Sequence, residues 1–166
     1  MTVYAQDHRG HGRNVEKKSQ RGIARMADLE RDMVTMIDFA AKETGLPVIQ
    51  FGHSLGGLIG LYTTLHSKPP VCAAIITSPW LKLVSAPPQA AFKAIGALSG
   101  VLSPFSINNG IPSTALCHDP AVCAAYDVDP QNHGRIGLAL AADANRAANW
   151  VLAHPEELKV PLLLCH

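Results

Sequence analysis

The stretch Gly52-His53-Ser54-Leu55-Gly56-Gly57 joins two different periodicities, and that junction restricts the fold more than any other part of the chain. Before it stands an extended apolar run, Val48-Ile49-Gln50-Phe51. After it, Leu55, Leu58, Ile59, Tyr62 and Leu65 recur at helical spacing. Ser54 therefore falls on a sharp strand-to-helix turn. Such a turn crowds its own backbone, so small residues are needed two before and two after the serine, and Gly52 and Gly56 fill those places. The hydroxyl is then held out at the tip of a nucleophile elbow. The N–H of Leu55, at a helix N-terminus, faces the space where an oxyanion would develop. A plain tight turn between strand and helix would use the same glycines, but the strand before and helix after are the context the elbow requires.

The rest of the chain is read around that turn. Its 166 residues suit one domain large enough to bury a core. Hydrophobic residues make up 48% and charged residues 16%, which indicates extensive buried surface. A net charge of +1 gives no reason to expect nucleic acid as a partner. Cys72, Cys117, Cys123 and Cys165 show no C-x-x-C spacing, and Cys72 and Cys165 sit in apolar strand-like runs. They read as reduced thiols in a reducing compartment. No leader is read ahead of the first strand, and no apolar run reaches membrane-spanning length.

In chain order, Thr2-Val3-Tyr4-Ala5 reads as a short strand running into the loop Gln6 to Arg13. His8 and His11 in that loop make a weak metal pair without a further ligand, and a turn held by glycines is the better reading; no metal is expected. Met26 to Lys42 reads as an amphipathic helix with Leu29, Met33, Met36, Ile37 and Ala40 on one face, ended by Gly45. Cys72–Thr77 and Val160–Cys165 read as strands buried on both faces of a parallel sheet. Between them, a connection of about 80 residues is far beyond ordinary loop length. Helices are expected there over Ala91–Leu102, from Asp119-Pro120, and from Asn132-His133-Gly134 to about Ala153. The order of elements indicates a doubly wound α/β sheet with right-handed crossovers. The insertion would sit over the serine, with Trp80, Leu81, Leu83, Phe92, Leu102 and Phe105 forming an apolar roof, either toward a substrate or simply onto the body.

These motifs resemble the monoacylglycerol lipase and lysophospholipase branch of the α/β-hydrolases. Asp7-His8-Arg9-Gly10-His11-Gly12-Arg13-Asn14 resembles its D-H-x-G-H-G-x-S segment, with Asn14 in place of serine. Gly52 to Gly57 resembles its G-H-S-x-G-G elbow, Thr77-Ser78-Pro79 the end of its sixth strand, and Val160 to Leu164 its seventh. The resemblance implies a partial α/β-hydrolase fold: a mostly parallel sheet with flanking helices and a helical cap insertion. Residues 1–80 would be the core segment, 81–158 the cap and 159–166 a further core strand. Ser54 would be the catalytic nucleophile and the Leu55 N–H one oxyanion donor. Trp80, Leu81, Phe92 and Phe105 would line the substrate space. A lipid or other ester substrate is implied, with no cofactor, a cytoplasmic location and room for peripheral membrane contact through the cap.

The same resemblance marks what these residues do not supply. The second oxyanion donor belongs after an earlier strand, and the acid and base after later ones; His166, Asp7 and Asp143 are not at those positions. Losing the base of such a triad costs about 10⁶ in turnover, and an oxyanion donor about 10²–10³, without simple additivity. The chain is thus expected to be the middle of a serine hydrolase, with little activity alone. Its first strand should lack a neighbour and stand about 10 Å from Val48–Gln50, two strand spacings, leaving an apolar edge. Two further readings share the sequence: an aminopeptidase or other α/β-hydrolase with the same elbow, and a binding domain that kept the elbow without its chemistry.

Overall fold

Val71–Thr77 (β2) is the middle strand of a parallel sheet whose order is β1-β2-β5, with Val48–His53 (β1) and Leu162–Cys165 (β5) on either side. The computed structural model describes residues 1–83 and 87–166; the expected cap of 81–158 includes three residues outside that description. Met26–Thr44 (α1) precedes β1, and Leu55–His66 (α2) links β1 to β2. Between β2 and β5 come Gln89–Ala97 (α3), Ser99–Leu102 (α4), Ser106–Asn108 (β3), Pro120–Val128 (α5), Arg135–Gly137 (β4) and Leu138–Ala153 (α6). Strands β3 and β4 pair antiparallel as a separate ribbon.

Helix α1 forms where its pattern predicts, with Leu29, Ile37 and Ala40 buried. Gly45 ends it in the left-handed region, φ 63°, its N–H donating to the Ala41 carbonyl at 2.9 Å. Helix α2 is apolar nearly all round, as befits a helix enclosed by other elements, and buries Leu58, Ile59, Leu61 and Leu65. Its partners are the sheet on one side and α1 and α6 on the other, so that Leu29, Leu58, Ile76, Leu140 and Ala144 share one core.

The alternation of β1 shows how the sheet is covered. Gln50 and Gly52 are buried toward α2, whereas Ile49 and Phe51, pointing the other way, are 56% and 62% exposed. Leu163 of β5, paired with Ile75 on that same outer face, is 57% exposed. Among the described residues the helices therefore lie on one face, and the doubly wound arrangement is not completed. This corrects the reading of Val160–Cys165 as a strand buried on both sides: burial depends on neighbours, and an apolar run is only an invitation to them.

Three more expectations are revised. Residues 2–5 form no strand; Val3 is exposed, and Tyr4 instead meets Phe39 of α1 edge-on at 5.6 Å between ring centroids. An extended segment without an adjacent edge has nowhere to place its backbone hydrogen bonds except water. The helix expected over Ala91–Leu102 is broken at Leu98 into α3 and α4. The helix expected from Asn132 begins only at Leu138, because Arg135–Gly137 is drawn into the ribbon with Ser106–Asn108.

The insertion is fastened to the body along residues 10–25. Gly137 N–H donates to the Gly22 carbonyl at 2.8 Å, and Arg21 reaches the Pro130 carbonyl at 2.8 Å. The buried carboxylate of Asp143 on α6 accepts from Arg25 Nε at 2.7 Å, from Met26 N–H at 3.3 Å and from Arg146. That carboxylate raises the Arg25 pKa. His133 bridges the same seam: its Nε2–H donates to the Gly10 carbonyl at 2.7 Å while Nδ1 accepts the Arg135 N–H at 3.3 Å. Those two bonds need the neutral ring, and burial pushes its pKa below 6.5.

Asp143→Asn keeps the volume but removes the charge that three donors share. It should lower unfolding free energy by about 1–3 kcal/mol in urea denaturation, the range for a broken charge-assisted network. A depressed histidine pKa contributes stability above its unfolded value and loses it on acidification. Stability should thus fall as pH drops below about 6.5, less steeply in His133→Gln, as followed by thermal unfolding across pH. On the outer sheet face, Phe51→Lys should reduce binding of an apolar dye and self-association measured by light scattering, with a stability change within about 0.5 kcal/mol.

Candidate active site

The turn at Ser54 is assembled by main-chain bonds from three elements. Ser54 N–H donates to the Thr77 carbonyl at 3.0 Å, continuing the β1–β2 ladder past the end of β1. The Ser54 carbonyl accepts from Leu58 N–H, opening α2, and from Trp80 N–H, each at 3.0 Å. Between these anchors the residue is forced to φ 53°, ψ −118°. A non-glycine residue there costs about 1–3 kcal/mol and persists only because its surroundings over-determine it. Such strain at an exposed serine is the expected geometry of a nucleophile elbow.

Gly52 and Gly56 are not equivalent. A Cβ on Gly52 would lie 2.5 Å from the Gly56 carbonyl oxygen and 2.8 Å from its carbon, so the close crossing of β1 and α2 requires hydrogen there. A Cβ on Gly56 would meet only the ring of His8, at 3.9 Å from Nε2, apart from its own helix. The need for room two residues before the serine is backbone against backbone; two residues after, the neighbour is a side chain. Leu55 begins α2, and its N–H belongs to the first helical turn, where amides lack intrahelical acceptors and the helix dipole favours an anion.

Trp80 and Leu81 lie beside the elbow through the Ser54–Trp80 bond, and both are partly buried against the core. Phe92 is 6% exposed on α3, which packs on α6, so its ring is enclosed by the insertion itself. Phe105 is exposed, and its carbonyl accepts the Leu138 N–H at 2.9 Å. The structure thus ties Trp80 to Ser54 by a main-chain bond, packs Leu81 on the core one residue later, and gives Phe92 and Phe105 places within the insertion.

His8 is the neighbour that residue patterns alone did not single out for the elbow. It sits beside the first turn of α2, with Nδ1 buried and without a partner among the described residues. Burial lowers its pKa first and the nearby His11 lowers it further, against the pull of Asp32 and Asp7; the ring is neutral near pH 7. The available signal was the D-H-x-G-H-G segment. That segment is a closed turn, as expected: Asp7 accepts the Arg13 N–H at 3.0 Å, and Asn14 donates to the Asp7 carbonyl at 2.5 Å. Asn14 thereby closes the loop from the position where serine is usual. His11 stacks on His133 at 4.7 Å and binds the Arg9 carbonyl, so its ring serves the seam between loop and insertion.

The histidine adjacent to Ser54 in the chain, His53, contacts Thr77 Oγ1 through Nδ1 at 2.8 Å. Among the described residues no histidine is hydrogen-bonded to Ser54 Oγ; His53, His66, His133 and His154 have their given bonds elsewhere. Two roomier hollows lie apart from the elbow. One, of about 520 Å³, runs between α1, Tyr62 and Trp150; the other, of about 860 Å³, lies between residues 6–23 and α1.

Comparison with known proteins agrees with this geometry. The chain is 28% identical over 168 residues to a monoacylglycerol lipase of Mycolicibacterium smegmatis, a match covering all of this chain and 59% of that protein. It is 31% identical over 135 residues to the monoglyceride lipase of Homo sapiens, covering 78% of this chain and 43% of the relative. In three dimensions it resembles the Paleococcus ferrophilus monoacylglycerol lipase with a TM-score of 0.80 and 26% identity, over 95% of this chain and 59% of that one. The Saccharomyces cerevisiae monoglyceride lipase, at 19% identity and a TM-score of 0.69, shares the fold. The chain spans about six-tenths of the bacterial relative's length and less than half of the human one's. The family model for serine aminopeptidase, S33 matches residues 1–166, and the chain therefore belongs to that family, with the α/β-hydrolase fold.

Proposed function

We propose that the protein to which these residues belong hydrolyses carboxylic esters of fatty acids, monoacylglycerol or lysophospholipid, through an acyl-enzyme on Ser54. The observation that carries this reading is the exposed serine held at φ 53° between the end of β1 and the start of α2. The monoacylglycerol lipase relatives, which align across this turn, support the choice of ester.

Ser54 Oγ attacks the ester carbonyl, and the Leu55 N–H receives the negative charge of the tetrahedral intermediate. Collapse expels the alcohol and leaves the acyl group on Ser54; water then releases the fatty acid. The proton acceptor is a histidine oriented by an acid, both supplied by the part of the relatives' length that these residues do not span. Residues 81–158 form the cap. Trp80 and Leu81 hold the acyl chain next to the serine, and the exposed Phe105 extends that apolar wall from the cap, whose packing the buried Phe92 supports. The cap also carries exposed apolar residues, among them Val101 and Val128, which suit peripheral contact with the membrane where such lipids reside. No helix among the described residues is long and apolar enough to cross a membrane.

The family's own description favours a second reading, an aminopeptidase using the same serine. Substrate panels separate the two. The protein extended to its relatives' length should react with a fluorophosphonate at Ser54 and cleave monoacylglycerol esters in preference to aminoacyl amides. Ser54→Ala should lower that turnover by about 10⁶. The 166 residues alone should show neither labelling nor Ser54-dependent turnover above background. Preferential amide cleavage would establish the aminopeptidase, and an extended protein whose Ser54 stays unlabelled would leave only a binding role.

A further inference from the structure

Helix α5 opens with two thiols on one short turn. Asp119 is its N-cap, the side chain accepting the Ala121 N–H at 2.8 Å, and Pro120 follows it. Cys117 stands two residues ahead of that cap and Cys123 four residues after it. Cys123 is 7% exposed, and its Sγ is 3.2 Å from the carbonyl oxygen of Cys117 itself and 3.5 Å from that of Ser113. Cys117 is more accessible, and its Sγ accepts the Asp119 N–H at 3.4 Å. The two side chains therefore share one turn, with the backbone of one residue in contact with the sulfur of the other. Neither thiol has a part in the reaction at Ser54.

We propose that Cys117 and Cys123 are a redox-modified pair that closes to an intramolecular disulfide when a hydroperoxide is the oxidant. The sulfur of Cys117 attacks the peroxide; the O–O bond breaks, one oxygen stays on sulfur as a sulfenic acid, and the other leaves as water or alcohol with the thiol proton. Cys123 Sγ then attacks the Cys117 sulfur. The S–O bond breaks, an S–S bond forms, and the departing oxygen takes the Cys123 proton to leave as water. Two thiols have given two electrons to one peroxide, and two equivalents of a small thiol reverse the step. The bridge needs Cα atoms about 4.4–6.8 Å apart; the contact of Cys123 Sγ with the Cys117 carbonyl oxygen at 3.2 Å already brings the two residues side by side, and side-chain rotation then turns the sulfurs toward each other. Closing it would pin the turn at Ser113–Cys117 to α5, where Ser113 already donates to Asp127 at 2.9 Å. The exposed thiols Cys72 and Cys165 have no such partner position: Cys165 pairs in register with Thr77, at the opposite end of β2 from Cys72.

The test is hydrogen peroxide treatment of the protein carrying Cys72→Ser and Cys165→Ser, followed by alkylation and peptide mapping by mass. The expected product has lost two hydrogens, takes up no alkylating reagent, yields one peptide containing the 117–123 bridge, and regains both thiols with dithiothreitol. Cys117→Ser and Cys123→Ser should each abolish the bridge, and the mapping of the parent protein stands whether or not those variants fold. Full alkylation of both thiols after peroxide would overturn the proposal. So would cross-links only between molecules, or irreversible oxidation of Cys117 while Cys123 stays free.

Discussion

The peptide group on either side of Ser54 is shared among everything the chain builds. Its N–H belongs to the sheet, through Thr77; its carbonyl belongs to α2, through Leu58, and to the start of the insertion, through Trp80. Held by those three bonds, the residue sits at φ 53°, a conformation whose cost its surroundings must offset. The strain is tolerable because it is spread over a ladder, a helix and a loop that each have independent reasons to form. It also has a consequence for the side chain. With the backbone committed in three directions, the hydroxyl is left on the one side where no element packs.

The insertion shows the same economy in a different material. Its fastening to the body joins the apolar face of α6, which puts Leu140, Ala144, Ala147 and Val151 into the shared core, to a strip of loop, residues 10–25, whose carbonyls and cations meet α6, the ribbon and the end of α5. Two cations in that strip and one just ahead of it have distinct tasks: Arg9 pairs with Asp32 of α1, Arg21 takes a main-chain carbonyl, and Arg25 joins Arg146 on the buried Asp143. Aromatic packing closes the far end, where Trp150 of α6 stacks on His154 at 4.4 Å and meets Tyr62 of α2 edge-on. His8, two residues ahead of that strip, stands at the side of the elbow.

How much of this was legible in the sequence depended on distance along the chain. The elbow, α1 and its Gly45 cap were readable because each is decided within a few residues: helical period, glycine at a positive φ, a strand ending against a helix. Residues 2–5 have the composition of a strand and do not become one, because pairing is a property of two segments and only one is at hand. Leu163 illustrates the same limit for burial: β-run composition announces a sheet, but not which faces acquire neighbours. At Arg135–Gly137 a short-range helical signal lost to a longer-range one, the edge offered by Ser106–Asn108 about 30 residues away. His8 was hidden for a related reason, since a loop histidine has no periodicity and its value comes only from what it lands beside.

The asymmetry of the two elbow glycines sharpens what the motif itself means. At Gly52 the obstacle to a side chain is the carbonyl of Gly56, an atom that cannot move without undoing the first turn of α2. At Gly56 the obstacle is an imidazole at ordinary contact distance, which has rotamers to spare. The first glycine is therefore a condition of the fold, whereas a Cβ at the second would make only an ordinary contact with the His8 ring. A motif written with two equal letters thus contains one strict requirement, imposed by backbone geometry two residues before Ser54, and one position where the folded chain leaves room for a methyl group.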